Sequence, residues 1–341
     1  MSTILVTGGT GYVGSHTAVM LLEAGHEVII VDNLANSSDT VVSRIEELGG
    51  KKIIFYQTDV RDVEALQQVF SRHYIDAVVH FAALKAVAES VANPLLYYNV
   101  NVGGTVALCE AMLKAEVSKL VYSSSATIYG VPKKVPLAED DSESSMAVFN
   151  PYGRTKVICE ALLRDICAAD PSWSVALLRY FNPIGAHPSG LLGEDPVGVP
   201  NNIMPNLTRA AMGQITHFSV FGDDYPTEDG TPVRDYLHVQ DLSEGHVKAL
   251  DYLMNKTGIE AFNLGNGKGY SVLEVIAAFE QASGQVVPTK MEARRPGDVA
   301  ISCADPSKAK TILGWQTKRS IGEMCADAWR WQQMNPHGYQ R

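Results

Sequence analysis

Short apolar runs recur along the first half of the chain at intervals filled by segments of helix length. The runs Thr3 to Thr7, Glu27 to Val31, Ile53 to Gln57, Ala77 to Phe81, Lys119 to Ser123 and Ser174 to Arg179 predict strands. Several, such as Ile4-Leu5-Val6, are continuously apolar rather than alternating, which predicts a parallel sheet covered on both faces. Crossover helices fit between them, for example Tyr12 to Ala24 and Val63 to Arg72. After residue 182 the alternation becomes irregular, with Pro and Gly dense in "NPIGAHPSGLLGEDPVGVPNNIMP" and "GDDYPTEDGTPVRDY". The pattern predicts an α/β first domain over residues 1–182 and a smaller, loop-rich α/β domain over residues 183–341, some segments of which return to the first.

The turn after the first run supplies the first candidate chemistry. Gly9-x-Gly11-x-x-Gly14, between a buried strand and a helix, satisfies the dinucleotide fingerprint. One glycine makes the turn, one lets the backbone approach a pyrophosphate, and one lets helix and strand pack closely. Free amides at the helix N-terminus then face the anion. Asp32, 18 residues after Gly14 at the end of "EVIIVD", is placed to accept from a ribose hydroxyl. Its carboxylate would repel a 2′-phosphate, which favours NAD over NADP. This reading makes the sheet a Rossmann-type, doubly wound one. Gly8, Gly11, Tyr12, Val13 and Gly14 are then the phosphate cradle, with Asp32 and Asn33 at the ribose. Asp59-Val60 follows the third run, either as an adenine contact or with Asp59 as the N-cap of the next helix. In "HFAALKAV" the small residues let the backbone approach a cofactor at Phe81, Ala82 and Ala83, and Lys85 is placed to meet a phosphate.

Composition narrows the class without adding a site. The 341 residues, 46% of them hydrophobic, suit ordinary globular domains, and a net charge of -10 argues against wrapping nucleic acid or lying on anionic lipid. No apolar run approaches the roughly 20 residues of a membrane span, and no signal-peptide pattern is expected at the N-terminus. Cys109, Cys159, Cys167, Cys303 and Cys325 lack metal-ligand or redox-pair spacing, and the nine histidines form no ligand pair. The expectation is a cytoplasmic protein with reduced thiols and no metal.

Catalytic candidates come from "VYSSSATIYG" and "NPYGRTKVICEALL". Tyr152 and Lys156 stand four residues apart, on one face of a helix, so they converge on one spot. Tyrosine titrates near ~10, too high for a base at neutral pH, and a neighbouring ammonium stabilises its phenolate. Ser125, beyond the fifth run, sits at the carboxyl edge of the sheet, where its hydroxyl can orient a substrate oxygen. "PLLYYNVNVGGTVALCEAMLKAE" predicts one long helix with Asn101 near the apolar interior, where its amide must be hydrogen-bonded, by backbone or at the cofactor.

With these residues in place the chain resembles the extended short-chain dehydrogenase/reductase superfamily, and within it the UDP-glucose 4-epimerases. "TGGTGYVGSHT", "HFAALKAVAESV", "SSSATIYG", "PYGRTK", "LLRYFNPIGAHPSG", "PNNIMP", "DYPTEDGTPVRDYLHV" and "RRPGD" carry the resemblance over essentially the whole chain. It implies that Tyr152 takes the proton of the sugar 4-hydroxyl while hydride leaves C4 for NAD, and that the tethered 4-keto sugar turns over and is reduced on its other face. Lys156 then serves Tyr152 and the nicotinamide ribose, and Ser125 positions the sugar. Tyr180 and Phe181 lie near the nicotinamide, and Asn101 contributes its amide on the cofactor side, the preceding Val100 standing where some relatives have Asn.

The resemblance also implies that Lys85, Asn182, Asn202, Ser219, Val220, Phe221, Arg234, Arg295 and Asp298 hold the UDP-hexose. The two guanidinium forks suit a diphosphate. Some family members carry Tyr seven residues after the equivalent of Arg295; Ser302, followed by Cys303, stands here, and leaves room for an N-acetyl group. A homodimer pairing the helices around Leu95 to Ala115 and Pro151 to Ala168 is implied as well. A dehydratase on the same scaffold needs a further acid and base, which by that family's Thr-Asp-Glu pattern fall at Ala126 and Thr127, neither able to serve. A non-catalytic NAD sensor is countered by the intact Ser125, Tyr152 and Lys156.

Overall fold

The apolar runs become the central strands of the structure, a computed structural model that describes residues 1–141, 148–198, 200–295 and 297–339. The first half runs β1 (Thr3–Thr7), α1 (Tyr12–Glu23), β2 (Glu27–Asp32), α2 (Thr40–Gly49), β3 (Ile54–Gln57), α3 (Val63–Arg72), β4 (Ala77–His80), α4 (Val87–Ala92), α5 (Pro94–Tyr97), a π-helical turn (Tyr98–Gly103), α6 (Gly104–Lys114), β5 (Lys119–Ser125), α7 (Pro151–Ala169) and β6 (Ser174–Tyr180). The second half continues with β7 (Asn182–Ile184), α8 (Ile203–Ala211), β8 (Phe218–Phe221), β9 (Val233–His238), α9 (Val239–Met254), β10 (Gly258–Leu264), β11 (Gly269–Ser271), α10 (Val272–Ser283), β12 (Thr289–Glu292), β13 (Ile301–Ser302) and α11 (Ile321–Met334).

Seven strands form one parallel sheet in the order β10-β6-β5-β4-β1-β2-β3. Successive side chains of a strand point to opposite faces, so Ile4, Val6 and Ile30 enter one core while Leu5, Ile29 and Val31 enter the other. Burial on both faces explains why these strands read as unbroken apolar runs. The chain order reverses between β1 and β4, which opens a crevice at the carboxyl ends of the strands. Gly8, Phe81 and Ser125 all lie at that edge.

The chain after residue 182 both adds a second unit and completes the first. β9 pairs with β7 and β13 in parallel and with β11 antiparallel, and β8 pairs with β12. Their core contains Ile184, Leu207, Val220, Tyr236, Phe279 and Trp329. α9 lies against α1, where the Thr17 hydroxyl donates to Ser243 Oγ at 3.3 Å, and β10 becomes the seventh strand of the large sheet.

Local differences from the sequence pattern have physical causes. β5 runs to Ser125 and β6 to Tyr180, because Ser125 still pairs in register with Tyr180. Ser125 and Tyr180 therefore end their strands rather than follow them, while Ile53 and Phe81 fall outside. The single long helix predicted over the 94–116 stretch is interrupted by the π turn. Side chains take the Asn101 carbonyl there: Thr105 Oγ1 donates to it at 2.7 Å and Cys159 Sγ at 3.5 Å.

Candidate active site

At the end of β1 the chain turns through Gly8 with φ +69°, so the positive-φ glycine lies one residue before the predicted fingerprint. A Cβ on Gly8 would meet Ala82 N at 2.7 Å, and one on Gly14 would meet Gly8 O at 2.3 Å. These two glycines let the β4 loop and α1 close on the turn. A Cβ on Gly11 would approach only Gly8 O, at 3.2 Å, which leaves that face of the turn open. Gly11 is the N-cap of α1 and no side chain caps the helix, so its first amides, at Tyr12, Val13 and Gly14, point into the crevice as free donors.

Asp32 ends β2 beside this turn and is nearly buried. Its Oδ2 accepts from Thr10 N at 3.1 Å, and its Oδ1 from Leu34 N at 2.9 Å and Ser37 Oγ at 3.3 Å. The carboxylate is thus rigidly held with acceptor capacity left on Oδ2. Next to it Asn33 Nδ2 donates to Asp59 Oδ2 at 3.0 Å, and Arg61 grips both oxygens of Asp59 at 2.8 Å each. The guanidinium holds Asp59 well below the usual carboxylate range. Asp59 is not the N-cap of α3; Asp62 is, accepting from Ala65 N at 3.0 Å. Free helix amides, an open glycine and a preset acidic acceptor fit an NAD whose ribose hydroxyls are unphosphorylated. Val60 is buried against α6, while Phe81 packs on His246 with ring centroids 4.7 Å apart. Ala82 and Ala83 line the loop that leads to Lys85.

Across the switch point stand the catalytic candidates. Asn150 caps α7, its Oδ1 accepting from Gly153 N at 2.8 Å, and Pro151 occupies the first turn, so local sequence sets where the helix starts and hence where Tyr152 and Lys156 face. Both are buried, on one side of α7. Burial pushes the Tyr152 phenol above the ordinary tyrosine value, and a hydrogen bond with Ser125 pulls it part of the way back. Lys156 Nζ donates to Ser123 O at 2.6 Å and lies 4.9 Å from the Tyr122 ring centroid. Desolvation lowers it to about 8, against the opposing influence of Cys159 and Glu160. Ser125 Oγ accepts from Thr127 N at 3.2 Å and from Thr127 Oγ1 at 3.0 Å, so its own proton is available to Tyr152 or to a substrate oxygen. The arrangement holds a phenol, an ammonium and a serine hydroxyl at one edge of the sheet, suited to moving a proton to and from a substrate hydroxyl.

Asn101 belongs to the support of this edge. Its Oδ1 accepts from Leu84 N at 2.8 Å, and its Nδ2 donates to Leu84 O and to Thr155 Oγ1, both at 3.0 Å. Thr155 in turn donates to Tyr152 O at 2.6 Å. The amide therefore clamps the Lys85 loop to α7. Sequence reasoning misses Thr155, although its position three residues after Tyr152 is a signal that could find it. Tyr180 hydrogen-bonds Ser123 Oγ, and Phe181 stacks on Tyr129 at 6.4 Å.

The remaining candidates come together in two groups, one within the second unit and one that joins it to the loop after β4. Arg234 and Arg295 share Asp298, at 3.7 Å and 3.0 Å, and the Arg295 guanidinium lies 4.9 Å from the Phe221 ring centroid. Ser302 stands opposite Arg234 in the β13–β9 register. Ser219 and Phe221 are half-buried along β8, but Val220 points into the core, so its side chain is not available to a ligand. Asn182 is exposed at the start of β7. In the other group Lys85 and Asn202 both donate to Glu194 Oε1. Sequence reasoning misses Glu194 as well, because an acid in a loop dense in Pro and Gly has no periodic signature.

A family profile described as GDP-mannose 4,6 dehydratase matches residues 5–328. A protein of Bacillus subtilis (strain 168) named UDP-glucose 4-epimerase is 58% identical over 98% of both chains. The crystal structure of UDP-glucose 4-epimerase from Bifidobacterium longum, in complex with NAD+ and UDP, superposes with a TM-score of 0.96 at 49% identity, covering 99% of this chain and 100% of that one. A UDP-glucose-4-epimerase from Stenotrophomonas maltophila, with bound NAD and formylated UDP-arabinopyranose, gives 0.96 at 48% identity over 98% and 99%.

Proposed function

The chain belongs to the UDP-glucose 4-epimerases, and we propose that the paired Tyr152 and Lys156 with Ser125 are the groups by which it interconverts UDP-galactose and UDP-glucose through a transient 4-keto sugar. The enzyme is an NAD-dependent isomerase. Bound NAD would supply the hydride acceptor and donor for C4 of the sugar. Gly11 with the free amides of α1 would hold its pyrophosphate, Asp32 its adenine-side ribose, and Lys156 its nicotinamide ribose. Tyr152 takes the 4-hydroxyl proton and returns it to the same oxygen once the keto sugar has turned over, Lys156 keeps the phenolate accessible by its charge, and Ser125 orients the sugar oxygen. One observation carries this reading: the phenol and the ammonium are buried on one face of α7, beside a serine at the switch-point edge of the sheet.

Uridine diphosphate is held from the second unit. Arg234 and Arg295 donate to the phosphates, with Asp298 at the uridine ribose, Phe221 at the base, and Asn182, Asn202 and Lys85 toward the sugar. A firm grip on the nucleotide and a loose one on the hexose is what rotation of the keto sugar requires. Dehydration is disfavoured because Ala126 and Thr127 provide no carboxylate and the Thr127 hydroxyl is committed to Ser125. The small Ser302, across from Arg234, admits an N-acetylhexosamine. Leu95 and Leu113, 84% and 62% exposed on α5 and α6, give the second copy of a homodimer an apolar face to cover, and a measured mass of one chain in solution would remove that assignment. No described helix is long and apolar enough to cross a membrane, and the five cysteines are free, which suits the cytoplasm.

Incubation of the purified protein with UDP-galactose and then UDP-N-acetylgalactosamine, without added NAD, tests these readings by NMR of the epimer ratio. Both substrates are expected to reach equilibrium. Ser302→Tyr is expected to lower turnover of the N-acetylated substrate by about 10-fold or more, while UDP-galactose turnover changes by less than about threefold. Equal loss on both substrates would overturn the pocket assignment, and no epimerisation even with NAD supplied would overturn the enzymatic one.

A further inference from the structure

Glu194, in the loop between β7 and α8, joins two residues that approach the cleft from different parts of the fold. Lys85 comes from the loop after β4 and Asn202 from the N-terminus of α8. Lys85 Nζ donates to Glu194 Oε1 at 3.1 Å and Asn202 Nδ2 donates to the same oxygen. The Glu194 side chain is only 7% exposed, against 49% for Lys85. Its second oxygen, Oε2, is buried and has no hydrogen-bond partner among the described residues. The carboxylate also lies near Tyr12, the first residue of α1: its charge reinforces burial, the larger cause, in raising the Tyr12 phenol. Lys85 Nζ is 6.0 Å from the Tyr12 ring centroid.

A buried carboxylate oxygen without a donor carries a standing desolvation penalty, and one beside a diphosphate adds repulsion unless a cation neutralises it. The Lys85 charge on Oε1 offsets the repulsion, and the desolvation is a cost the fold bears to keep the cation and the Asn202 amide in place. Resting on the epimerase reading, we infer that Glu194 is a positioning residue for the UDP-hexose, directing Lys85 and Asn202 into the cleft. The lysine alone, half exposed on a flexible stem, would sample many orientations. Tied to Glu194, it presents its remaining protons in one direction.

The test is a mutant cycle of Glu194→Ala, Lys85→Ala and the double variant, with Glu194→Gln as the conservative replacement. Steady-state turnover of UDP-galactose, calorimetric binding of UDP-glucose to the enzyme at equilibrium, and NAD released on denaturation are the readouts. Glu194→Ala is expected to raise KM and weaken binding by about 10-fold or more, with kcat within about threefold and NAD content at the wild-type level. The double variant should be no more than about twofold worse than the worse single one, because the two residues act through one contact. Glu194→Gln, which keeps an acceptor for Asn202, should fall between wild type and Glu194→Ala. Independent, multiplying effects of the two substitutions would overturn the inference, as would a loss confined to kcat or a parallel loss of NAD. A wild-type protein that cannot equilibrate UDP-galactose would overturn the underlying epimerase reading, and this assignment with it.

Discussion

Tyr152→Phe is expected to lower kcat for UDP-galactose by about 10²- to 10⁴-fold, the range over which a positioned acid or base contributes. The substitution removes one oxygen from a side chain whose ring is already buried against the sheet edge, so the packing of α7 survives. Ser125 loses a partner, but its Oγ keeps the two bonds from Thr127. NAD content and melting temperature should therefore stay close to wild type, since neither the α1 turn nor Asp32 touches the missing hydroxyl. Rapid-quench turnover together with the NAD released on denaturation checks this. Retained turnover would remove Tyr152 from the mechanism, and inactivity accompanied by loss of NAD would make it a structural residue instead.

Lys156→Met is expected to abolish turnover to a similar degree and yet to stabilise the protein at pH 7. Burial lowers the ammonium from 10.5 to about 8, although Cys159 and Glu160 oppose the change. Moving a titration by one pH unit corresponds to about 1.4 kcal/mol, so the buried charge destabilises the fold by a few kcal/mol. Removing it leaves Ser123 O without its 2.6 Å donor, a loss of about 1 to 3 kcal/mol, so the net gain is on the order of 1 kcal/mol. Between about 8 and 10.5 the unfolded chain binds more protons at this site than the native one, so wild-type stability from this group rises with pH across that window. The advantage of Lys156→Met is thus full below about 8 and shrinks as pH climbs toward 10.5. Paired thermal melts at pH 7 and pH 10 measure it; a variant less stable than wild type at pH 7, or an advantage that grows with pH, would refute the account. If the Lys156 charge favours the Tyr152 phenolate as proposed, the residual activity should also move to higher pH.

Both results express one property of this edge of the sheet. Its charged and polar groups are held where desolvation works against them, and the surrounding network keeps them there. The His80 ring bridges Thr7 and Thr105, at 2.6 Å and 3.2 Å, and burial, with the Lys156 charge second, drives its titration down to about 3. It is therefore a neutral spacer between β1 and α6 rather than a competing acid. Such sites are stabilised by the fold around them, at some expense to global stability.

The sequence by itself determined the parallel sheet, because residues buried on both faces leave an unbroken apolar run that periodicity can detect. It also determined the glycine turn after β1 and the Tyr152–Lys156 face, since both depend on contacts within a few residues: a glycine with no Cβ, or two side chains one helical turn apart. Asp32 and Ser125 were legible for the same reason, each sitting at or next to the end of a run. Only the tertiary structure decided that β10 and α9 return to the first layer, that the positive-φ glycine is Gly8, and that a π turn interrupts the helix around Asn101. It alone joined Asn101 to Leu84 and Thr155, and Glu194 to Lys85 and Asn202. Those bonds link residues 8 to 109 positions apart, in loops and at helix ends, where no repeating pattern of polarity records which partner the folded chain will supply.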